Sequence, residues 1–209
     1  MLVAGAGGHA LDLLDLLLNQ KQTEDLCFFD NVNEQVLFEN QYTILKSEKE
    51  VLEHFKQCPY FILGIGSPRH RKFFYDWFIH LGGQHFFIKG EGVVYSNFTE
   101  NNEADIFNLC FVGAKTKIGK GVLINTGSQV HHEVVIGDFS EINPGAVILG
   151  KVKIGNFSSI GANATILPKI EIGDNVIIGA GAVVTKDVPD FSKVIGVPGR
   201  VVGKVNPII

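Results

Sequence analysis

The stretch IGKGVLINTGSQVHHEVVIGDFSEINPGAVI, residues 118–148, decides the fold. Every sixth residue in it is Ile or Val: Ile118, Ile124, Val130, Ile136, Ile142 and Ile148. The lock continues outward in both directions, to Val112 and Ile106 upstream and to Ile154, Ile160, Ile166, Ile172, Ile178 and Val184 downstream. Gly directly follows half of these anchors, at 113, 119, 137, 155, 161, 173 and 179. Four residues after each anchor the side chain is neither charged nor large, as at Thr116, Ser128, Ser140, Ala146, Ser158 and Ala164. A half-buried strand in an ordinary sheet repeats every two residues, not every six. A hexapeptide period belongs to a parallel β-helix, in which three hexapeptides close one triangular coil of about 18 residues. The branched anchor then points into a narrow core. The small residue points in at the corner, and the remaining positions face outward.

Upstream the grammar changes. Of the 21 Phe, Trp and Tyr residues, only Phe139, Phe157 and Phe191 lie beyond Phe111. The early half alternates strand and helix signals: strand Leu2–Ala4, breaker Gly5–Gly8, helix His9–Gln20, strand Cys27–Phe29, helix Glu48–Gln57, strand Tyr60–Ile65, helix Arg69–Leu81 and strand Gln84–Ile88. Strands alternating with helices predict a small parallel, Rossmann-like α/β sheet. The chain is therefore expected as two modules, residues 1–92 and 93–209, with the polar segment 89–105 as linker.

Composition narrows the function. The 209 residues include 24 Gly but only 7 Pro, so the Gly excess marks neither collagen nor a disordered linker. A formal net charge of −4 argues against nucleic acid or an anionic membrane as partner. Three cysteines without CxxC spacing form neither a disulfide framework nor a zinc knuckle, and fit a reduced, cytoplasmic setting. No basic segment precedes an apolar one at the start, so a signal peptide is not expected. The longest apolar stretch, Leu11–Leu18, contains Asp12 and Asp15 and is too short to span a bilayer.

The period converts sequence into geometry, because residues 18 apart stack on neighbouring coils. His132 is then placed beneath Gly150, and Asn125 in a column with Asn143, Gly161 and Gly179. Pro144, Ala162 and Ala180 form a column of small side chains, a groove where a linear ligand can lie against backbone. His131-His132-Glu133 is where the repeat carries acid–base chemistry. Histidine suits general-base work near neutral pH, and a neighbouring carboxylate orients the ring and raises its basicity. A bare backbone N–H at Gly150 next to that base suits acyl transfer, where charge develops on an oxygen. The plain alternative is a solvated surface pair.

In the first module, Gly5-x-Gly7-x-x-Ala10 follows a strand, with Asp30 at the end of the next one. This pattern fits a nucleotide whose phosphate sits at a helix start and whose ribose hydroxyl meets Asp30. The alternative is a tight βα turn without ligand. His54, His80 and His85 read as surface residues.

Taken together, Gly5-Ala6-Gly7-Gly8-His9, Phe29-Asp30-Asn31, Ile65-Gly66, His132-Glu133-x-x-Ile136-Gly137-Asp138-Phe139, Pro144-Gly145-Ala146 and Gly196-Val197-Pro198 resemble the bacterial sugar acyltransferases of the NeuD/PglD group. The resemblance spans nearly the whole chain. It implies that the β-helix is left-handed, that three chains form a homotrimer, and that acetyl-CoA lies between adjacent β-helices. It implies a nucleotide-linked sugar at Gly7, Gly8, His9, Asp30, Asn31, Ile65 and Gly66. His132 matches the family's catalytic base and Glu133 the residue that raises its basicity. Asn125 matches a position near the acceptor amine, and Gly150 the backbone donor to the thioester carbonyl. Gly161, Ala162, Gly179 and Ala180 fall along the coenzyme groove. Glu141 stands where relatives often carry a His that contacts the acyl donor.

The expected activity is acetyl-CoA-dependent N-acetylation of a nucleotide-linked amino sugar, with UDP-4-amino-4,6-dideoxy sugars first, in surface polysaccharide biosynthesis. O-acetylation of a sugar hydroxyl and a non-catalytic hexapeptide-repeat scaffold are the alternatives. A zinc-dependent carbonic anhydrase on the same helix needs three His ligands, and no His follows His132, so no metal is expected.

Overall fold

The computed structural model describes residues 1–101 and 103–206, and divides into two compact units, Met1–Phe87 and Ile88–Ile209. The first unit carries β1 (Leu2–Ala4), α1 (Gly8–Asn19), β2 (Cys27–Phe29), β3 (Leu37–Phe38), β4 (Tyr42–Leu45), α2 (Glu48–Gln57), β5 (Tyr60–Leu63), α3 (Pro68–His80) and β6 (Gln84–His85). The sheet order is β3-β4-β2-β1-β5-β6, parallel throughout except for the antiparallel β3–β4 pair. β1 is central and buried on both faces, which is why Leu2-Val3-Ala4 is uniformly apolar. Phe28, Phe29, Phe61 and Phe78 are fully buried, and edge-on ring contacts join Phe78 to Phe29 and Phe61. A capping box between Ser47 and Glu50 starts α2.

The predicted helices agree with the structure to within a residue or so at each end. The β3–β4 hairpin is an element the sequence reading lacks. Two further expectations are corrected. Residues 84–88 do not form one strand: β6 ends at His85, and the Ile88 carbonyl already accepts from the Ile106 N–H in the second unit. His54 and His85 are not surface residues. His54 lies 3.5 Å from the Cys27 thiol, and the His85 ring packs 5.3 Å from both Phe61 and Tyr75.

The second unit is a left-handed parallel β-helix of two-residue strands. Its three faces are sheets of six, five and seven strands among the described residues. Lys117 pairs with Val135 and then Lys153 with Glu171, and Leu123 with Glu141, so the register is 18 residues throughout the middle coils. All fourteen anchors are buried in one core. The small residues four positions later are buried too, and their hydroxyls are satisfied: Ser128, Ser140 and Ser158 donate to the carbonyls of Asn143, Gly155 and Gly173 at 2.7–2.9 Å.

Coil closure also imposes a period on the backbone. The third residue after each anchor but the last lies in the left-handed region, from Leu109 (φ 61°) through Glu133 (φ 60°) to Gly181 (φ 66°). Such positive φ at the third residue of a turn is the type II requirement.

The expected linker 89–105 is the first coil. Val94-Tyr95 pairs with Phe111-Val112, and Glu100-Asn101 with Lys117-Ile118. Asn102 lies outside the described residues.

Candidate active site

Val130 is an anchor, so the chain turns outward after it and presents His131, His132 and Glu133 at a corner of the prism. His132 and Glu133 have side chains 60% and 43% exposed. His132 Nδ1 lies 3.1 Å from Glu133 Oε1. A carboxylate only accepts, so Nδ1 carries the hydrogen and Nε2 is left with its lone pair. The hydrogen bond from His132 holds the Glu133 carboxyl below its usual range, helped by the nearby Lys151 and Lys115 ammonium groups.

Gly150 lies one coil on, against the free face of that ring. A Cβ built on Gly150 would stand 2.5 Å from His132 Nε2 and 2.6 Å from Cε1, so only glycine admits the ring in this position. The Lys151 N–H donates to the His132 carbonyl at 3.0 Å and so fixes the two coils in this register. Gly150 is buried, and among the described residues no protein acceptor takes its N–H. A base nitrogen and an unengaged backbone donor thus share one small surface, the arrangement acyl transfer needs.

The other predicted residues of this unit fall along adjoining columns. Asn125 uses its Oδ1 to accept from the Thr126 N–H at 2.8 Å, and its own N–H donates to the Ile142 carbonyl. Asn143 above it donates to Ser159 Oγ and the Ile160 carbonyl. Gly161 and Gly179 continue the column as bare backbone. Ala162 is half-buried and Ala180 exposed, and neither N–H has a protein acceptor among the described residues. Glu141 accepts from Ser159 Oγ at 3.0 Å, so the residue that stands in place of the His of the resemblance is a carboxylate engaged with the next coil.

In the first unit the strand ends of β1, β2 and β5 converge. Gly5 (φ 92°) donates to the Phe29 carbonyl at 2.8 Å, and a Cβ on it would stand 2.9 Å from Ile65 Cγ1. Gly7 and Gly8 are exposed at the start of α1, with open space around them. They line a cleft of about 330 Å3 with Leu11 and the β3–β4 hairpin residues Leu37, Phe38, Glu39 and Asn40. That wall is what sequence reasoning missed, since no residue of the hairpin carries a motif. His9 is half-buried at the helix start. The Asp30 carboxylate is occupied locally, accepting from the Val32 N–H at 2.8 Å and from Asn33 Nδ2 at 2.7 Å. Asn31 is exposed beside it. Ile65 and Gly66 are held from behind: the fully buried Arg71 donates to the carbonyls of Leu63 and Ile65 at 2.9 and 3.0 Å.

Among the described residues no group of His, Cys, Asp and Glu is arranged to hold a metal ion, and no helix is long and apolar enough to cross a membrane.

The hexapeptide β-helix together with the unit before it places the chain among the acyltransferases. Residues 115–150 and 151–186 match the bacterial transferase hexapeptide (six repeats), and residues 1–78 match the PglD N-terminal domain. The chain belongs to the NeuD/PglD type of sugar acyltransferases. Three solved structures show the likeness over both units. PerB from Caulobacter crescentus, solved with CoA and GDP-perosamine, is 25% identical with a TM-score of 0.89, over 97% of this chain and 96% of that one. The acetyltransferase domain of PglB from Neisseria gonorrhoeae FA1090, solved with acetyl coenzyme A, is 25% identical with a TM-score of 0.86, over 96% and 98%. WeeI from Acinetobacter baumannii AYE is 28% identical with a TM-score of 0.85, also over 96% and 98%.

Proposed function

We propose that this chain transfers the acetyl group of acetyl-CoA to an amino group of a nucleotide-linked sugar, with His132 as general base. The observation that carries the reading is the His132–Glu133 hydrogen bond, which leaves Nε2 basic and turned toward Gly150. His132 Nε2 takes the proton from the sugar amine as the amine nitrogen forms its bond to the acyl carbon. Glu133 offsets the positive charge that the imidazole gains. The Gly150 N–H donates to the carbonyl oxygen while that oxygen is negative, and the carbon–sulfur bond breaks to release thiolate. General-base assistance of this kind contributes roughly 10²–10⁴ in rate.

The donor fits the bare columns beside the corner, where the N–H groups of Ala162 and Ala180 are open to amide and phosphate oxygens. The nucleotide is assigned to the Gly7–Gly8 helix start, whose free N–H groups suit phosphate. Asn125 stands near the acceptor amine in this reading. A UDP-linked 4-amino-4,6-dideoxy sugar is the first acceptor to test, with a GDP-linked amino sugar beside it because PerB was solved with GDP-perosamine.

Self-association as a homotrimer belongs to the same proposal. One face of the prism presents Val94, Phe111, Gln129, Val147, Thr165 and Val183 outward and is mostly apolar, whereas another presents Lys117, Val135, Lys153 and Glu171 with ion pairs between coils. The apolar face supports burial against a second copy.

The test is the His132→Ala variant, assayed for free thiol release with acetyl-CoA and a panel of UDP-, GDP-, CMP- and dTDP-linked amino sugars. Turnover should fall by about 10² or more. Undiminished turnover would sink the assignment.

A further inference from the structure

We propose that Lys151 is a positioning residue for the acyl-transfer base: its ammonium group on Glu133 Oε2 sets how much of the Glu133 charge reaches His132, and with it the working pH of that base. The inference rests on the reading of His132 as base and adds a residue that no motif marks.

The geometry begins with the register. The left-handed corner position recurs every six residues, so positions 18 apart stack in one column. Here the column reads Lys115, Glu133, Lys151 and Lys169, with φ of 59°, 60°, 65° and 65°. A single acid lies between two lysines, one on each neighbouring coil. Their placement is set by backbone and not by flexible side chains: the Glu133 N–H donates to the Ala114 carbonyl at 2.9 Å, and the Lys151 N–H to the His132 carbonyl at 3.0 Å.

The two carboxylate oxygens are then divided. Oε1 lies 3.1 Å from His132 Nδ1, and Oε2 lies 3.6 Å from Lys151 Nζ. An ion pair whose partners are 51% and 43% exposed adds little to stability. Its effect is local. The ammonium on Oε2 cancels part of the negative potential that Glu133 places on the ring, so the imidazolium is stabilised less than by Glu133 alone. His131, next in the chain, packs on Phe111 at 5.4 Å between ring centroids, and Gly150 beneath the ring is uncharged. Glu133, Lys151, Lys115 and His131 are thus the charged or titratable groups around His132, with Lys169 one coil further.

Removing a cation near an imidazole favours its protonated form. His132 must be neutral to accept a proton, so the acidic limb of the rate profile moves to higher pH.

The experiment uses the full chain as wild type, Lys151→Met, Lys151→Arg and Lys115→Met. The His132 ring is titrated by NMR without substrates, and kcat/KM is measured against pH at low and high salt. In Lys151→Met the His132 titration should move to higher pH at low salt, as for a positive charge removed from a neighbouring coil. The acidic limb should move with it, and high salt should shrink the difference. Lys151→Arg should restore the wild-type midpoint, and Lys115→Met should move it in the same direction. An unmoved midpoint in Lys151→Met, or an equal shift in Lys151→Arg, overturns the role. The ring titration reads this independently of turnover. If His132→Ala keeps its activity, the base assignment fails on that result alone.

Discussion

Gly150→Ala separates the site's chemistry from its stability. The added methyl would stand 2.5 Å from His132 Nε2, 2.6 Å from Cε1 and 3.2 Å from Cδ2. Ordinary carbon contact needs ~3.5 Å, so the ring edge must retreat by about 1 Å. The ring is free to do so, because its side chain is 60% exposed and faces solvent on the far side. Gly150 is not among the residues with positive φ, so alanine meets no backbone strain there. Folding stability should therefore stay within about 1 kcal/mol of wild type, since Gly→Ala at a compatible position gains about 0.4–1 kcal/mol through the unfolded chain. Catalysis should not survive so well. A misplacement of about 1 Å in a catalytic group costs ~10²-fold. The assay is thiol release in steady state together with thermal unfolding of the same preparation. Activity within threefold of wild type would refute the claim that His132 works from this position against Gly150. A loss of activity accompanied by collapse of the unfolding transition would show instead that Gly150 is structural.

Two further outcomes concern stability. Burial pushes the Cys27 thiol up to about 12, above the 9.0 of a free thiol. The unfolded chain then loses this proton at lower pH than the folded one. The contribution is fully present below pH 9 and is lost progressively between about 9 and 12. Cys27→Ala should flatten the fall in melting temperature over that range, and a fall as steep as wild type argues against it. In the β-helix, Ile160 is fully buried among other anchors, so Ile160→Ala should cost about 2–5 kcal/mol in denaturant unfolding. A cost under about 1 kcal/mol would mean that the core collapses around the gap.

How much of this was legible in the sequence depends on how each feature is encoded. The coils from Ile106 to Val184 were legible, because a core only one side chain wide holds nothing but Ile and Val at the anchors. The stacking of His132 on Gly150 followed from the period alone. The first coil was misread for a definite reason. Its register to the next coil is 17 residues, as in Val94 opposite Phe111, so its inward residues Tyr95 and Asn101 fall one place off the lock. The last coil is shorter again, with Ile178 opposite Val194. The β3–β4 hairpin escaped because Glu34, Gln35, Glu39 and Asn40 make its surroundings read as loop, and only Phe38 and Ile44 of its strand residues are buried. The left-handed corners leave only a partial trace in residue type. Gly or Asn holds six of the thirteen from Leu109 to Gly181, and Leu, Lys, Glu or Phe the rest, since coil closure fixes the backbone there whatever the side chain. The Phe139–Phe157 stack, 6.0 Å between centroids and 5° between planes, belongs to one column of these corners and was readable only from the 18-residue spacing.

The corner N–H groups show how a repetitive scaffold separates structure from function. The second residue after an anchor, except where it is Pro144 or Pro168, has an N–H that the coil itself leaves unengaged. On one edge of the prism a side-chain oxygen from the next coil takes it. Lys120 donates to Asp138 Oδ1, Asp138 to Asn156 Oδ1, Asn156 to Asp174 Oδ1 and Asp174 to Asp190 Oδ1, at 2.6–2.9 Å. That edge is a closed ladder, with nothing left to offer a ligand. On the other two edges the same backbone position carries His132, Gly150, Ala162 and Ala180, and these N–H groups have no protein acceptor among the described residues. One backbone conformation therefore yields a sealed edge where the column reads Asp and Asn, and open donors where it reads Gly, Ala and His, interrupted at Pro144 and Pro168, which have no N–H, and at Thr126, whose N–H Asn125 Oδ1 takes. Placing oxygen-bearing side chains at the second of these columns would close it in the same way. On this argument the small residues at 162 and 180 are kept small for the donors they expose as much as for the space they leave.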